Sequence, residues 1–160
     1  MAIEQAREYL KQFGREEDIL EFPVSSATVE LAAKALGCEE ARIAKTLSFL
    51  VEEKPILVVT AGDCKVDNKK YKEYFHVKAK MLTPEQVEEW IGHSIGGVCP
   101  FGIHKGVAVY LDESLRRFST VFPACGSPNS AIEVTCEQLE AYAHPVAWVD
   151  VCKRKDEGNV

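Results

Sequence analysis

KTLSFLVE (residues 45–52) and PILVVTA (residues 55–61) are two apolar runs separated by Glu53 and Lys54, and that arrangement predicts an antiparallel pair of strands joined by a tight turn. Gly62 and Asp63 close the second run. Upstream, Ile3, Ala6, Leu10 and Phe13 share one face of a helix expected over Ala2–Phe13, with Gly14 as its stop. A short strand over residues 19–22 follows, then a helix through VELAAKAL (29–36), capped by Ser25 or Ser26 and ended by Gly37. Downstream, DNKKYKEYF (67–75) reads as helix and VKAKML (77–82) as a short strand. Thr83-Pro84-Glu85-Gln86 is a capping box with proline at the first helical position, opening a helix that ends at Gly92. Further strands are expected at VAVYLD (107–112), STVFPA (119–124), AIEVT (131–135) and PVAWVD (145–150), with a second capping box at Thr135–Gln138 starting the last helix. The class is α/β: one domain over residues 1–160, a mixed sheet surrounded by helices and able to curl into a partial barrel.

With 46% hydrophobic and 28% charged residues and no apolar stretch long enough to span a bilayer, the composition is that of a globular chain. The opening MAIEQAREYLKQF is amphipathic and carries acidic residues, unlike a secretory signal, so a cytoplasmic protein without a membrane partner is expected. Six scattered cysteines form no C-x-x-C, which argues against a disulfide framework or zinc finger. The net charge of −6 speaks against sequence-blind binding to nucleic acid, which needs Lys and Arg at phosphates. Charge is uneven, however. Six lysines between Lys65 and Lys80 stand against Asp67 and Glu73, a local excess of four positive charges that could touch a few phosphates or simply form a solvated helix face.

Three features carry chemistry. Lys45 is a lone cation among Ile43, Ala44, Leu47, Phe49 and Leu50. By the two-residue period of a strand it shares a face with Leu47 and Phe49, so its stem packs inward while its ammonium either finds an anion or opens onto a cleft. The loop HSIGGVCPFGIHKG (93–106) holds four glycines and Pro100, too many breakers for a regular element. Its backbone can approach a ligand closely and turn N–H groups toward a developing oxyanion, although a glycine-rich connection can also be only tight. CGSPNSAIEV (125–134) is a polar turn between strands, offering Ser127, Asn129 and Ser130 as hydrogen-bonding groups. There is no phosphate loop, G-x-S-x-G elbow or H-E-x-x-H, and the four histidines lack helical metal spacing, so no metal or cofactor is expected. Cys99 with His104 as a nucleophile–base pair, or zinc on His93, Cys99 and His104, remain weaker alternatives.

IAKTLSFL (43–50), GGVCPFG (96–102) and CGSPNSAIEV (125–134), in this order and spacing, resemble the YbaK/EbsC proteins, the family of the YbaK/prolyl-tRNA-synthetase-associated domain. SSATVELAAKALGC (25–38) looks like that family's amino-terminal helix, and VYLDESLRRFSTVFPACGS (109–127) like its long joining stretch, so the resemblance covers nearly the whole chain. It implies a mixed, barrel-like α/β domain acting as a free-standing deacylase that hydrolyses the ester of mischarged tRNA, Cys-tRNA(Pro) first among the substrates. The partners implied are the 3′ acceptor end of that tRNA and prolyl-tRNA synthetase. Lys45 matches the family lysine that binds the terminal phosphate or the substrate, and Gly96, Gly97 and Pro100 match the loop that cradles the aminoacyl carbonyl. Lys45, Gly96 and Gly97 are therefore the expected catalytic residues. Phe22, Ser25, Thr28, Cys99, Pro100, Phe101, Gly102, Gly126, Ser127, Asn129 and Ser130 are the expected substrate-binding ones. An activated ester needs no protein nucleophile: water, or the thiol of a cysteinyl substrate, can attack while backbone amides hold the oxyanion. The alternative is a non-catalytic module that captures an acceptor end or a nucleotide beside a synthetase.

Overall fold

The computed structural model describes residues 2–23, 28–93 and 96–155. Helix α1 (Ala2–Lys11), strand β1 (Leu20–Glu21) and helix α2 (Val29–Leu36) lead through a 3₁₀ turn at Glu40–Arg42 into strands β2 (Ile43–Val51) and β3 (Lys54–Ala61). These two pair antiparallel from Ala44↔Ala61 to Val51↔Lys54, as their apolar runs predict. The turn is Glu52–Glu53, both left-handed at φ 50° and 67°, rather than Glu53–Lys54, because the two-residue hairpin whose twist suits the strands needs positive φ at both central positions. Strand β4 (Cys64–Val66), helix α3 (Asn68–Phe75) and helix α4 (Pro84–Gln86) come next, α4 continuing as a wider π turn over Val87–Ile91 that closes on Gly92 N–H to Val87 O. Then follow β5 (Ala108–Asp112), a 3₁₀ turn at Glu113–Arg117, β6 (Thr120–Pro123), β7 (Ser130–Ala131), β8 (Val134–Thr135), α5 (Cys136–Ala143), β9 (Ala147–Val149) and β10 (Cys152–Arg154).

The main sheet has the order β8-β6-β2-β3-β5-β9 and is mixed: β2–β3 and β6–β8 are antiparallel, whereas β2–β6, β3–β5 and β5–β9 are parallel. It curls into a half-barrel, the architecture expected from the sequence. β3 sits at its centre, so Ile56, Leu57, Val58 and Val59 are all buried and the run shows no alternation. Two ribbons, β1–β7 and β4–β10, flank it. Helix α1 buries Ala6 and Leu10 in the main core, which also takes Phe49, Tyr71, Ile91, Phe101 and Leu111.

Several local expectations change. α2 is capped by Thr28, whose hydroxyl accepts from Leu31 N–H; Ser25 and Ser26 lie outside the described residues. VKAKML is not a strand but a single bridge, Phe49↔Met81, with Leu50 N–H bonded to Lys80 O and Leu82 N–H to Ser48 O. AIEVT splits into β7 and β8, which pair with different partners. β4 and β10 are too short and polar to announce themselves and exist because they pair with each other.

Asp112 fastens the end of β5 to the residue before β10. Its buried carboxylate accepts from Ser114 N–H through Oδ2 and from Val151 N–H through Oδ1, both at 3.0 Å. Asp112→Ala would leave two donors without an acceptor and is expected to cost about 2–4 kcal/mol. A urea titration should show that loss as a lower midpoint with an unchanged slope.

Candidate functional site

β2 pairs with β6 only at Ile43 and Ala44, and with the 80–82 segment only through Ser48 and Leu50. Between them, no strand among the described residues covers its outer edge at Lys45–Leu47. A cavity of about 280 Å³ opens there. Its walls are Thr28, Val29 and Ala32 at the start of α2, Ile43–Ser48 of β2, Met81, Leu82 and Val87, the loop residues Gly96 and Val98, Phe122 of β6, and Ala124, Ser130 and Ala131 after it. Most of these side chains are apolar, so any charge inside is poorly solvated.

The one charged residue among those that line it is Lys45. Among the described residues no carboxylate lies within ion-pair distance of it, although other cations hold carboxylates in pairs such as Arg117–Asp63 and Lys70–Asp150. Burial lowers its pKa below the ordinary lysine value, the nearby Lys155 lowers it further, and Cys152, Cys64 and Asp63 offset part of this. A half-buried cation in an apolar wall, with no counter-ion among the described residues, carries a desolvation cost that an anion could offset.

The glycine loop reaches this cavity by its first residue. Gly96 has φ 95°, a left-handed backbone that turns the chain at the cavity wall. Gly97 lies so close to the next loop that an added Cβ would sit 2.7 Å from Gly126 C and Ser127 N. The two motifs are thus pressed together, backbone on backbone. In the second loop the Ser127 hydroxyl bonds with Asn129 Oδ1 at 3.0 Å and Ser130 Oγ at 2.7 Å. Asn129 Nδ2 donates to Phe22 O at 2.9 Å, and Phe22 N–H donates to Asn129 O at 2.8 Å, which locks the loop to the segment after β1.

Of the residues anticipated from the sequence, Lys45, Thr28, Gly96 and Ser130 line the cavity, and Gly97, Gly126 and Ser127 form the contact behind it. Phe22 and Asn129 meet one another on its flank. Cys99, Pro100, Phe101 and Gly102 do not line it. Cys99 and Phe101 are wholly buried in the core, Pro100 is buried beside them, and Gly102, at φ 67°, lies against the backbone of α1, 2.6 Å from an added Cβ to Gln5 O. Ser25 falls outside the described residues. Sequence reasoning passed over Thr46, which lines the cavity and whose buried hydroxyl has no partner among the described residues, and Met81, which is 59% exposed at its wall. Thr46 had one signal, its place beside Lys45; Met81 was hidden in a stretch read as a strand.

Cys99 and His104 do not pair. Cys99 Sγ lies 3.5 Å from Nε2 of His93, not His104, and burial pushes its thiol up to about 12. His93 Nε2 lies 2.7 Å from Phe101 O and therefore carries the proton; burial pushes its pKa down, and among the described residues Nδ1 has no acceptor for a second one. A neutral imidazole beside a neutral thiol is no activated nucleophile. Among the described residues no three His, Cys, Asp or Glu side chains cluster as metal ligands.

Among the described residues no helix is long and apolar enough to cross a membrane. Protein YwhH of Bacillus subtilis (strain 168) is 53% identical over 154 residues, which cover 96% of this chain and 98% of that protein. A proline–tRNA ligase of Lactiplantibacillus plantarum is 25% identical over 125 residues, 78% of this chain but only 22% of the ligase. A crystal structure described as a proposed trans-editing enzyme for prolyl-tRNA synthetase superposes with a TM-score of 0.85 at 29% identity, covering 95% of this chain and 97% of that one. The family model of the aminoacyl-tRNA editing domain matches residues 24–142, a span that holds Lys45, both glycine loops and nearly every wall of the cavity. The chain belongs to the aminoacyl-tRNA editing domain family.

Proposed function

We propose that this chain is a trans-acting aminoacyl-tRNA deacylase that hydrolyses the ester of mischarged tRNA, with Cys-tRNA(Pro) as its substrate and prolyl-tRNA synthetase as the enzyme whose errors it corrects. The observation that carries the reading is Lys45, a cation at the wall of a small apolar cavity with no counter-ion among the described residues. Its ammonium binds a phosphate oxygen of the tRNA 3′ end and so places the ester at the Gly96–Gly97 backbone. A cavity near the lower end of the usual ligand-pocket range suits a small side chain, and it rejects larger ones by size. The free Thr46 hydroxyl supplies one polar contact to the aminoacyl group.

Water adds to the ester carbonyl, and amides of the glycine loop hold the resulting oxyanion. The C–O bond to the ribose then breaks, releasing the amino acid, and the ribose oxygen takes up a proton. An aminoacyl ester is reactive enough for positioning and oxyanion stabilisation to suffice. Lys45 is a positioning cation in this scheme.

The experiment is release of labelled amino acid from Cys-tRNA(Pro), Ala-tRNA(Pro) and Pro-tRNA(Pro). Cysteine release should lead, and proline should stay bound to its tRNA. Saturable tRNA binding with no release from any of the three would make the chain a capture module instead. Cys99→Ala is expected to keep kcat/KM within about threefold, because the thiol is buried and protonated, and full-length protein should resist alkylation at Cys99 by iodoacetamide. Loss of turnover in a folded Cys99→Ala would restore the cysteine as nucleophile.

A further inference from the structure

None of the lysines between Lys65 and Lys80 lines the cavity, yet the fold adds to them. β10 lies antiparallel on β4 with Lys153 directly opposite Lys65, while Cys64 and Cys152 point to the buried side. Two like charges directly across a ladder destabilise it, so this pair costs the fold something unless an anion covers it. Lys69 and Lys72 are exposed on α3, the next element, and Lys155 extends the ribbon, its N–H bonded to Asp63 O at 2.9 Å. Lys155 is also the cation that Lys45 feels most, so this edge of the ribbon lies beside the cavity residue.

The acidic groups nearby are already engaged. Asp67 caps α3 by accepting from Lys69 and Lys70 N–H, Asp63 is gripped by Arg117, and Asp150 holds Lys70 at 3.0 Å. Glu73 is the exposed exception. Among the described residues Lys65, Lys69, Lys72 and Lys153 have no carboxylate within ion-pair distance. A chain of net charge −6 thus concentrates unpaired cations on one ribbon and the helix beside it, drawn from two distant parts of the sequence.

We infer that the β4–β10 ribbon, with the exposed lysines of α3, is the docking surface for the phosphate backbone of an RNA helix, the base-paired stem whose single-stranded 3′ end enters the Lys45 cavity. This rests on the deacylase reading for the identity of the RNA, and extends it from the reacting end to the stem. Complementary charge commits the surface to a polyanion, and the regular spacing of backbone phosphates is what a row of lysines on a ribbon and helix meets.

The test neutralises the facing pair, Lys65→Gln with Lys153→Gln, in the full chain. Because the change removes a like-charge pair, its melting temperature should equal or exceed that of the parent. Anisotropy with uncharged tRNA between 50 and 200 mM KCl should show the slope of log Kd against log salt falling by about 2, and binding at the low-salt end weakening by about tenfold. Deacylation of aminoacyl-tRNA should show a raised KM and a kcat within about twofold, while a short aminoacylated oligonucleotide without a stem is hydrolysed equally well by both proteins. An unchanged salt slope would overturn the proposal. So would an equal loss on the short oligonucleotide, which would place the defect in the cavity, or displacement of tRNA by poly-glutamate at comparable concentration, which would assign the surface to an acidic protein. If the parent protein hydrolyses neither substrate, the deacylase reading fails, and the anisotropy measurement still decides the surface.

Discussion

Lys45→Met is expected to lower kcat/KM for deacylation by about 100-fold while making the folded protein more stable at neutral pH. The loss follows from the bond it removes: a hydrogen bond to a charged group is worth about 1.5–3 kcal/mol, and each 1.4 kcal/mol is tenfold. The gain in stability follows from the same burial. In the folded chain Lys45 has a lowered pKa, chiefly through desolvation, and it has no counter-ion among the described residues. An unfolded lysine titrates near ~10.4. Between the lowered folded value and that one, the unfolded state holds more protons, so stability rises with pH; below the window the whole penalty is felt. Lys45→Met should therefore stabilise most below the window, the advantage shrinking as pH climbs toward the unfolded value. Chemical denaturation at several pH values reads this directly.

The pH dependence of catalysis separates the two roles open to that amine. As a cation that holds phosphate, it gives a rate, corrected for spontaneous hydrolysis, that falls as pH rises through its lowered pKa. As a general base it would give a rate that rises there. Lys45→Arg keeps a charge and should recover part of the activity, with the alkaline fall removed, because guanidinium does not titrate in that range.

Gly97→Ala is the second large effect. The new methyl carbon would lie 2.7 Å from Gly126 C and Ser127 N and 2.8 Å from Ser127 Cα. All three are backbone atoms, so no side chain can rotate away, and the two loops must part. Overpacking of this kind costs about 1–3 kcal/mol. In the proposed mechanism the effect on rate is larger, because that mechanism takes its oxyanion amides from the displaced segment, and loss of a single oxyanion donor costs about 100- to 1000-fold. A melting curve and single-turnover kinetics on the same preparation should show a folded protein, a modest fall in Tm and a fall in the chemical step of that size. A folded Gly97→Ala with parental rates would remove this loop from the chemistry.

What could be read in advance depended on how locally each element is determined. The β2–β3 hairpin, both capping boxes and the ends of α2 at Gly37 and α4 at Gly92 are set by neighbouring residues, and they stand as expected. β4 and β10 are separated by more than half of the chain and pair with each other, so their short polar sequences carry no signal of their own. The cavity was legible at Lys45, because a cation within an apolar strand is conspicuous by itself, and at Gly96 and Ser130. Treating GGVCPFG as one unit was less informative: after Val98 the loop dives inward, so Cys99 and Phe101 serve the core and Gly102 makes room for α1. Met81 joins the site only through the open edge of β2, whereas Thr46 stands beside Lys45 in the sequence.

First-order release of cysteine from Cys-tRNA(Pro) by the purified protein should run far above the spontaneous rate, and about 100-fold lower with Lys45→Met, if the chain is a deacylase that relies on this lysine. Equal release by the two proteins, or none above the spontaneous rate with the parent, would contradict that reading.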